Sequence, residues 1–193
     1  MPAIPAIQSY STFNFPLNAY TKTCEASESR PVKSLLAIVK EKYIRDLNIN
    51  LADQKEYQLN GRLTEIYSEI IGSQELLTYH TGWDDENAQP TDFPTFAKAI
   101  NFLVEYSNYI CDSFLYKLQT PFINIMGDGS VYIQWNDERA AFTIIFKKSD
   151  RRLSYYFREE KETQLTTKGA IINDKPLDTY LASWFKDFLA LPL

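Results

Sequence analysis

The sequence predicts a single α+β domain: N-terminal helices, then an antiparallel β-meander of four to five strands, closed by a C-terminal helix packed on the sheet. Three observations carry this prediction. Apolar residues recur at three-and-four spacing through the first half of the chain. After Pro121 the period changes to two, with Gly127-Asp128-Gly129 supplying the tight turn of a hairpin. An amphipathic stretch from Leu177 to Leu189 then follows the last strand, and its apolar stripe must be buried, most simply on one sheet face.

The chain of 193 residues is long enough for one ordinary domain. Its 45% apolar and 23% charged residues exclude a wholly disordered protein. With 13 Tyr, 12 Phe and 3 Trp, large rings can fill a core with few residues. A total of 6 Gly argues against long glycine-rich phosphate loops. The net charge of −5 disfavours phosphate-backbone binding without excluding a local basic patch. Cys24 and Cys111 lie far apart without metal spacing, so two reduced thiols are expected. No secretory signal and no apolar stretch approaching the roughly 20 residues of a spanning helix is visible, which places the chain in the cytoplasm with no membrane partner.

Residues 1–31 read as an extended Pro/aromatic arm and 32–193 as the domain. Pro2, Pro5, Pro16 and Pro31 forbid a continuous helix in the arm, while Tyr10, Phe13, Phe15 and Tyr20 give it adhesive side chains. These four are candidates for a partner contact, the alternative being an arm packed on its own domain. Residues 32–47 read as a helix through Val32, Leu35, Leu36, Val39, Tyr43 and Leu47. Residues 53–71 read as a second, with Leu59, Leu63, Ile66, Tyr67 and Ile70 on one face and Asp53 with Glu56 as a capping box. Residues 78–92 form a polar loop with a buried Trp83. Asp92 caps a third helix to about residue 116, with Pro94 in its first turn and a stripe of Phe96, Ile100, Leu103, Ser107, Ile110 and Phe114. Strands follow around Phe122–Ile125, Val131–Trp135, Phe142–Phe146, Leu153–Phe157 and Ala170–Ile172. The last helix is expected to bury Leu177, Leu181, Trp184 and Phe188, with Phe185 at the border.

No motif reaches a catalytic, metal or cofactor signature, and no cofactor is expected. The densest polar cluster is the loop carrying His80, Asp84, Asp85 and Glu86. A histidine beside carboxylates can hold a divalent metal or move protons, but the spacing matches no known ligand set. The competing reading has Trp83 anchoring the loop while Asp84 and Asp85 cap backbone donors. Asp128 reads as a hairpin residue and Cys111 as a core thiol. Lys147, Lys148, Arg151, Arg152 and Arg158 cluster around a hairpin with Tyr155 and Tyr156 among them. Basic residues interleaved with aromatics suit nucleic acid, and equally a protected strand edge.

Two short motifs, Gly82-Trp83-Asp84 and the run from Asp128 to Trp135, joined by the helical stretch Ala97–Leu103, resemble a family of bacterial proteins with no established activity. In that family a Gly-Trp-Asp loop precedes an Asp-Gly hairpin and a strand ending in Trp. The resemblance spans about residues 78–157. It departs at Asp85, where the family favours glycine.

The function expected from these observations is a non-enzymatic protein-interaction or regulatory factor, antitoxin-like or a phage-defence accessory protein, whose partner is another protein. Two alternatives stand beside it. One is a metal-dependent hydrolase or nuclease using the 80–86 loop; the other is a nucleic-acid module using the basic hairpin 147–158.

Overall fold

The computed structural model describes residues 45–51, 55–84, 86–136, 140–148, 152–159, 167–172 and 177–193, with the side chains of 140, 152–159 and 167–172 excepted. Helices and antiparallel strands are mixed along the chain. Strands β1 (Leu47–Asn50) and β2 (Glu56–Leu59) form a hairpin. Helix α1 (Thr64–Ser73) runs into a 3₁₀ turn (Gln74–Thr78), and helix α2 (Phe93–Phe114) follows the loop. Next come β3 (Tyr116–Leu118), β4 (Phe122–Ile125), β5 (Val131–Asn136), β6 (Ala140–Phe146), β7 (Arg152–Glu159) and β8 (Thr167–Ile172). Helix α3 (Thr179–Leu189) and β9 (Ala190–Pro192) close the sequence of elements.

The helix expected over 53–71 is corrected to a strand, a turn and a shorter helix. Leu59, Leu63, Ile66 and Ile70 are all fully buried, so their spacing does report the core. They come from different elements, however, and the run imitates one helical face. The decisive pattern is the alternation of Ile49 and Leu51, and of Tyr57 and Leu59, with exposed neighbours. Asn60 then breaks the chain direction: its carbonyl accepts from Leu63 N at 2.9 Å and its Oδ1 from Arg62 N at 3.1 Å. Glu56 lies in β2 rather than in a capping box. Of the helix expected over 32–47, residues 32–44 lie outside the described residues, and Leu47 opens β1.

Helix α2 is the spine. Asp92 caps it, its Oδ1 accepting from Thr95 N at 2.9 Å, and Pro94 occupies the first turn. Buried residues surround it on more than one side: Phe96, Ile100, Leu103 and Ile110 on one stripe, Ala97, Phe102, Val104 and Tyr106 beside it. Asn108 ties α2 to the first hairpin, accepting from Asn60 N at 2.8 Å and donating to Gln58 O at 2.8 Å. Tyr57 Oη donates to Ala97 O at 3.2 Å. Cys111 is fully buried, and burial pushes its thiol up.

The large sheet is five-stranded and antiparallel in the order β4-β5-β6-β7-β8. Ile123, Ile125, Val131, Ile133, Trp135, Phe142, Ile144 and Phe146 are buried on its inner face. Its β4 edge is plugged by α1: Ile123 N donates to Glu69 Oε1 at 2.9 Å, removing an open ladder donor. Helix α3 lies on the inner face through Phe185. Of the stripe expected at Leu177, Leu181, Trp184 and Phe188, the first three pack half-buried against the core and Phe188 is corrected to a 40% exposed position, while the fully buried residues of the helix are Ala182, Phe185 and Leu189. The helix contacts both α2 and the sheet, which moves the centre of its contact face to Phe185. Five aromatic rings, Phe102, Tyr106, Trp135, Phe142 and Trp184, have centroids within 6.2 Å of that phenyl ring. Asp178 caps α3 by accepting from Tyr180 N at 2.9 Å, and its own N–H donates to the Tyr106 hydroxyl at 3.0 Å. Burial pushes the Tyr106 phenol up to about 12, keeping it a neutral partner.

Two stability predictions follow from this packing. Phe185→Ala, which empties the centre of the ring cluster, is expected to cost about 3–5 kcal/mol, read by urea denaturation followed by circular dichroism. Leu115 ends α2 at φ 58, a left-handed conformation unfavourable to a branched side chain, and is 54% exposed. Leu115→Gly should therefore stabilise the protein by about 1 kcal/mol in the same assay.

Candidate functional site: a loop strapped to a hairpin

The loop from Tyr79 to Pro90 is a folded unit built largely from backbone bonds. Trp83 N donates to His80 O at 3.1 Å, closing a turn, and Gly82 takes φ 80 within it. Gly82 N then donates to Ala88 O at 2.8 Å across the loop. Asp84 organises the interior: its Oδ1 accepts from Glu86 N at 2.9 Å and from Ala88 N at 3.0 Å. Those two backbone donors hold its carboxyl below the usual aspartate range.

The loop is fastened to the β4–β5 turn. Gln89 N donates to Gly127 O at 2.8 Å. The turn itself is closed by Met126 N to Ser130 O at 2.8 Å, Gly129 N to Met126 O at 2.9 Å and Ser130 N to Asp128 Oδ1 at 3.0 Å. Gly129 has φ 79, and a Cβ there would stand 2.8 Å from Pro90 O. A Cβ at Gly127 would touch Asp84 Oδ2 at 3.7 Å. The Gly-Trp-Asp loop and the Gly-Asp-Gly turn, separated in sequence by α2 and two strands, are thus one contact.

Trp83 is corrected from a core residue to a surface one, with 36% of its area exposed. Ala88, nearly fully buried, anchors the loop in its place. The backbone pairing of Gly82 with Ala88 makes an indole anchor unnecessary. Trp135 is buried as expected, its Nε1 donating to Gln119 O at 2.8 Å, and Trp184 is half-buried against Phe142. The Trp83 ring leans on Tyr79 at 5.3 Å between centroids and 40° between planes. Together with Thr78, His80, Thr81 and Gly82 they line an open hollow of about 520 Å³. Tyr79 was missed by sequence reasoning; its position four residues before Trp83 was the available signal.

The other sequence candidates separate. His80 and Glu86 are exposed, Asp84 is committed to backbone donors, and Asp85 lies outside the described residues. Among the described residues no group of three or more His, Cys, Asp or Glu side chains is placed to hold a metal ion. Lys147 and Lys148 are exposed, the latter 3.2 Å from Asp92 Oδ2. Arg152 and Arg158 occupy β7, two of its positions on one face of the sheet. Arg151 and the arm residues Tyr10, Phe13, Phe15 and Tyr20 lie outside the described residues.

No known protein family, curated protein or solved structure matches this chain. No helix among the described residues is long and apolar enough to cross a membrane.

Two predictions test the strap. Gly129→Ala adds a Cβ both at an unfavourable φ and against a backbone oxygen, and should cost about 1–3 kcal/mol or more in chemical denaturation. The carboxylate of Asp84 favours the folded loop above the ordinary aspartate range. That contribution is lost as pH falls through its lower folded-state value. Fluorescence of Trp83 should report loop loosening in acid, and Asp84→Asn should show the loosened signal already at neutral pH.

Proposed function

We propose that this chain is a non-enzymatic interaction factor of the cytoplasm that grips a partner protein through the Trp83–Tyr79 hollow, in a regulatory or neutralising role of the antitoxin-like kind. The observation that carries the reading is an exposed indole on a loop ordered by backbone bonds. A large rigid ring presented at low conformational cost is the typical energetic anchor of a protein interface. Thr78, Thr81 and His80 around it supply the polar rim that such anchors need. Asp84 supports binding over acid–base chemistry, because its carboxylate is occupied in holding the loop.

Affinity capture from the native host, comparing wild type with Trp83→Ala and Tyr79→Ala, tests this reading. Trp83→Ala should change stability by about 1 kcal/mol or less, whereas Tyr79→Ala, whose ring packs partly on the core, should cost more and is compared as a folded variant. Both should weaken retention of the partner by roughly tenfold or more. Equal retention by wild type and Trp83→Ala would remove the hollow from the interface.

A further inference from the structure

The five-stranded sheet has a second face, and its composition differs from that of the whole protein. Direct cross-strand partners share a face. Phe122 pairs with Gln134 and Asn124 with Tyr132. Tyr132 pairs with Ile145, Gln134 with Thr143 and Asn136 with Ala141. Ala141 pairs with Arg158, Thr143 with Tyr156 and Ile145 with Ser154. Arg152 pairs with Ile172, Ser154 with Ala170 and Tyr156 with Lys168. These chains of partners define the outer face, because the alternating positions Ile123, Ile133, Trp135, Phe142 and Ile144 are buried on the side that α2 and α3 cover, while Ile145 is a buried apolar residue within the outer face.

Along the described strand positions this outer face holds the basic residues Arg152, Arg158 and Lys168 and no Asp or Glu. In a chain with 25 acidic and 20 basic residues, these described outer-face strand positions carry no Asp or Glu. Glu159, at the end of β7, occupies the inward alternation, paired with Ala140. The same face carries the aromatics Phe122, Tyr132 and Tyr156 on β4, β5 and β7, and the amides Asn124, Gln134 and Asn136. Phe122 is 52% exposed, and its ring lies 6.2 Å from that of Tyr132. The described helices α2 and α3 meet the sheet from the other side, through Phe102 on Phe146 and Phe185 on Trp135 and Phe142.

We propose that the outer face of the β4–β8 sheet binds single-stranded nucleic acid, with bases on the Phe122–Tyr132 platform and phosphates toward the basic positions of β7 and β8. Each class of residue has a use there. Rings stack on any unpaired base, amides pair with base edges, and cationic side chains neutralise the backbone. A duplex hides the base faces that such a platform needs, so single strands are the occupant. An acidic peptide would use the cationic positions but leave the ring pair without a planar partner. The site is separate from the Trp83 hollow and does not rest on it.

The test is fluorescence anisotropy of the full chain with labelled oligothymidine and oligouridine of about 15 nucleotides. Duplex DNA and poly-glutamate serve as competitors. Single strands should bind at about 50 mM salt, with affinity falling as salt rises. Phe122→Ser and Tyr132→Ala should each weaken binding by about tenfold. Arg158→Ala should weaken it and shallow the salt dependence, while Arg158→Lys should keep the salt dependence. Circular dichroism on each variant establishes that it is folded, and Phe122, being exposed, is the substitution safest for the fold. Flat anisotropy at low salt would overturn the proposal. So would equal competition by duplex or by poly-glutamate, or binding indifferent to Phe122→Ser in a folded variant. Loss of single-strand binding in Trp83→Ala alone would move the site to the hollow and likewise overturn it.

Discussion

The structure depends on the burial of one phenyl ring. Phe185 is fully buried at the meeting of α2, α3 and the inner sheet face, with two tryptophans, two phenylalanines and a tyrosine around it. Edge-on and tilted geometries predominate in the cluster, as the ring quadrupole favours. Because the rings come from α2, β5, β6 and α3, the contact closes the fold across long stretches of chain. Two polar groups of the surrounding rings find backbone partners. Trp135 donates to Gln119 O, and the Tyr106 hydroxyl accepts from Asp178 N. Gln119 N in turn donates to Leu189 O, and β3 pairs with β9, so the end of α3 is held to the chain that leaves α2.

On this frame the 80–90 loop is positioned indirectly. Its Tyr79 end packs partly on the core, its buried Ala88 lies beside Gly127, and the Gln89–Gly127 hydrogen bond fastens it to the β4–β5 turn. The strap works because two glycines leave room: Gly129 for Pro90 O and Gly127 for the Asp84 carboxylate. A loop secured by backbone pairing keeps its large side chains free for other contacts. That is why Trp83 and Tyr79 can face an open hollow while the loop stays folded.

The legible parts of the sequence were those where one period runs unbroken. The long stripe of α2, its Asp92 cap and the alternation after Pro121 each describe a single element in a single environment. The segment 47–71 was misread because its core residues fall at helical spacing across a strand, a turn and a helix, and periodicity cannot see the boundary. Helix α3 was placed correctly but rotated, since two neighbouring apolar stripes exist and only the partner surface decides between them. Trp83 was misplaced by the general tendency of indoles to be buried. The Gly82–Ala88 hydrogen bond that replaces it as an anchor joins backbone atoms and leaves no side-chain trace. The contact between the Gly-Trp-Asp loop and the Gly-Asp-Gly turn is likewise tertiary, although the glycines needed for it stand in the sequence.

The basic residues show how register changes the meaning of a cluster. Read linearly, Lys147 to Arg158 is a hairpin whose charge is cancelled by the glutamates that follow. Strand alternation separates the first of them, Glu159, which falls on the inner alternation, from Arg152 and Arg158 on the outer face. Pairing with β8 then adds Lys168 beside Tyr156, a neighbour that no local window contains. Net charge governs solubility and long-range steering, whereas a bound strand feels the field within about a Debye length of the surface it lies on. An acidic chain can therefore carry a sheet face that attracts anions, provided its carboxylates are kept at other positions, as they are along the described strand positions of β4 to β8.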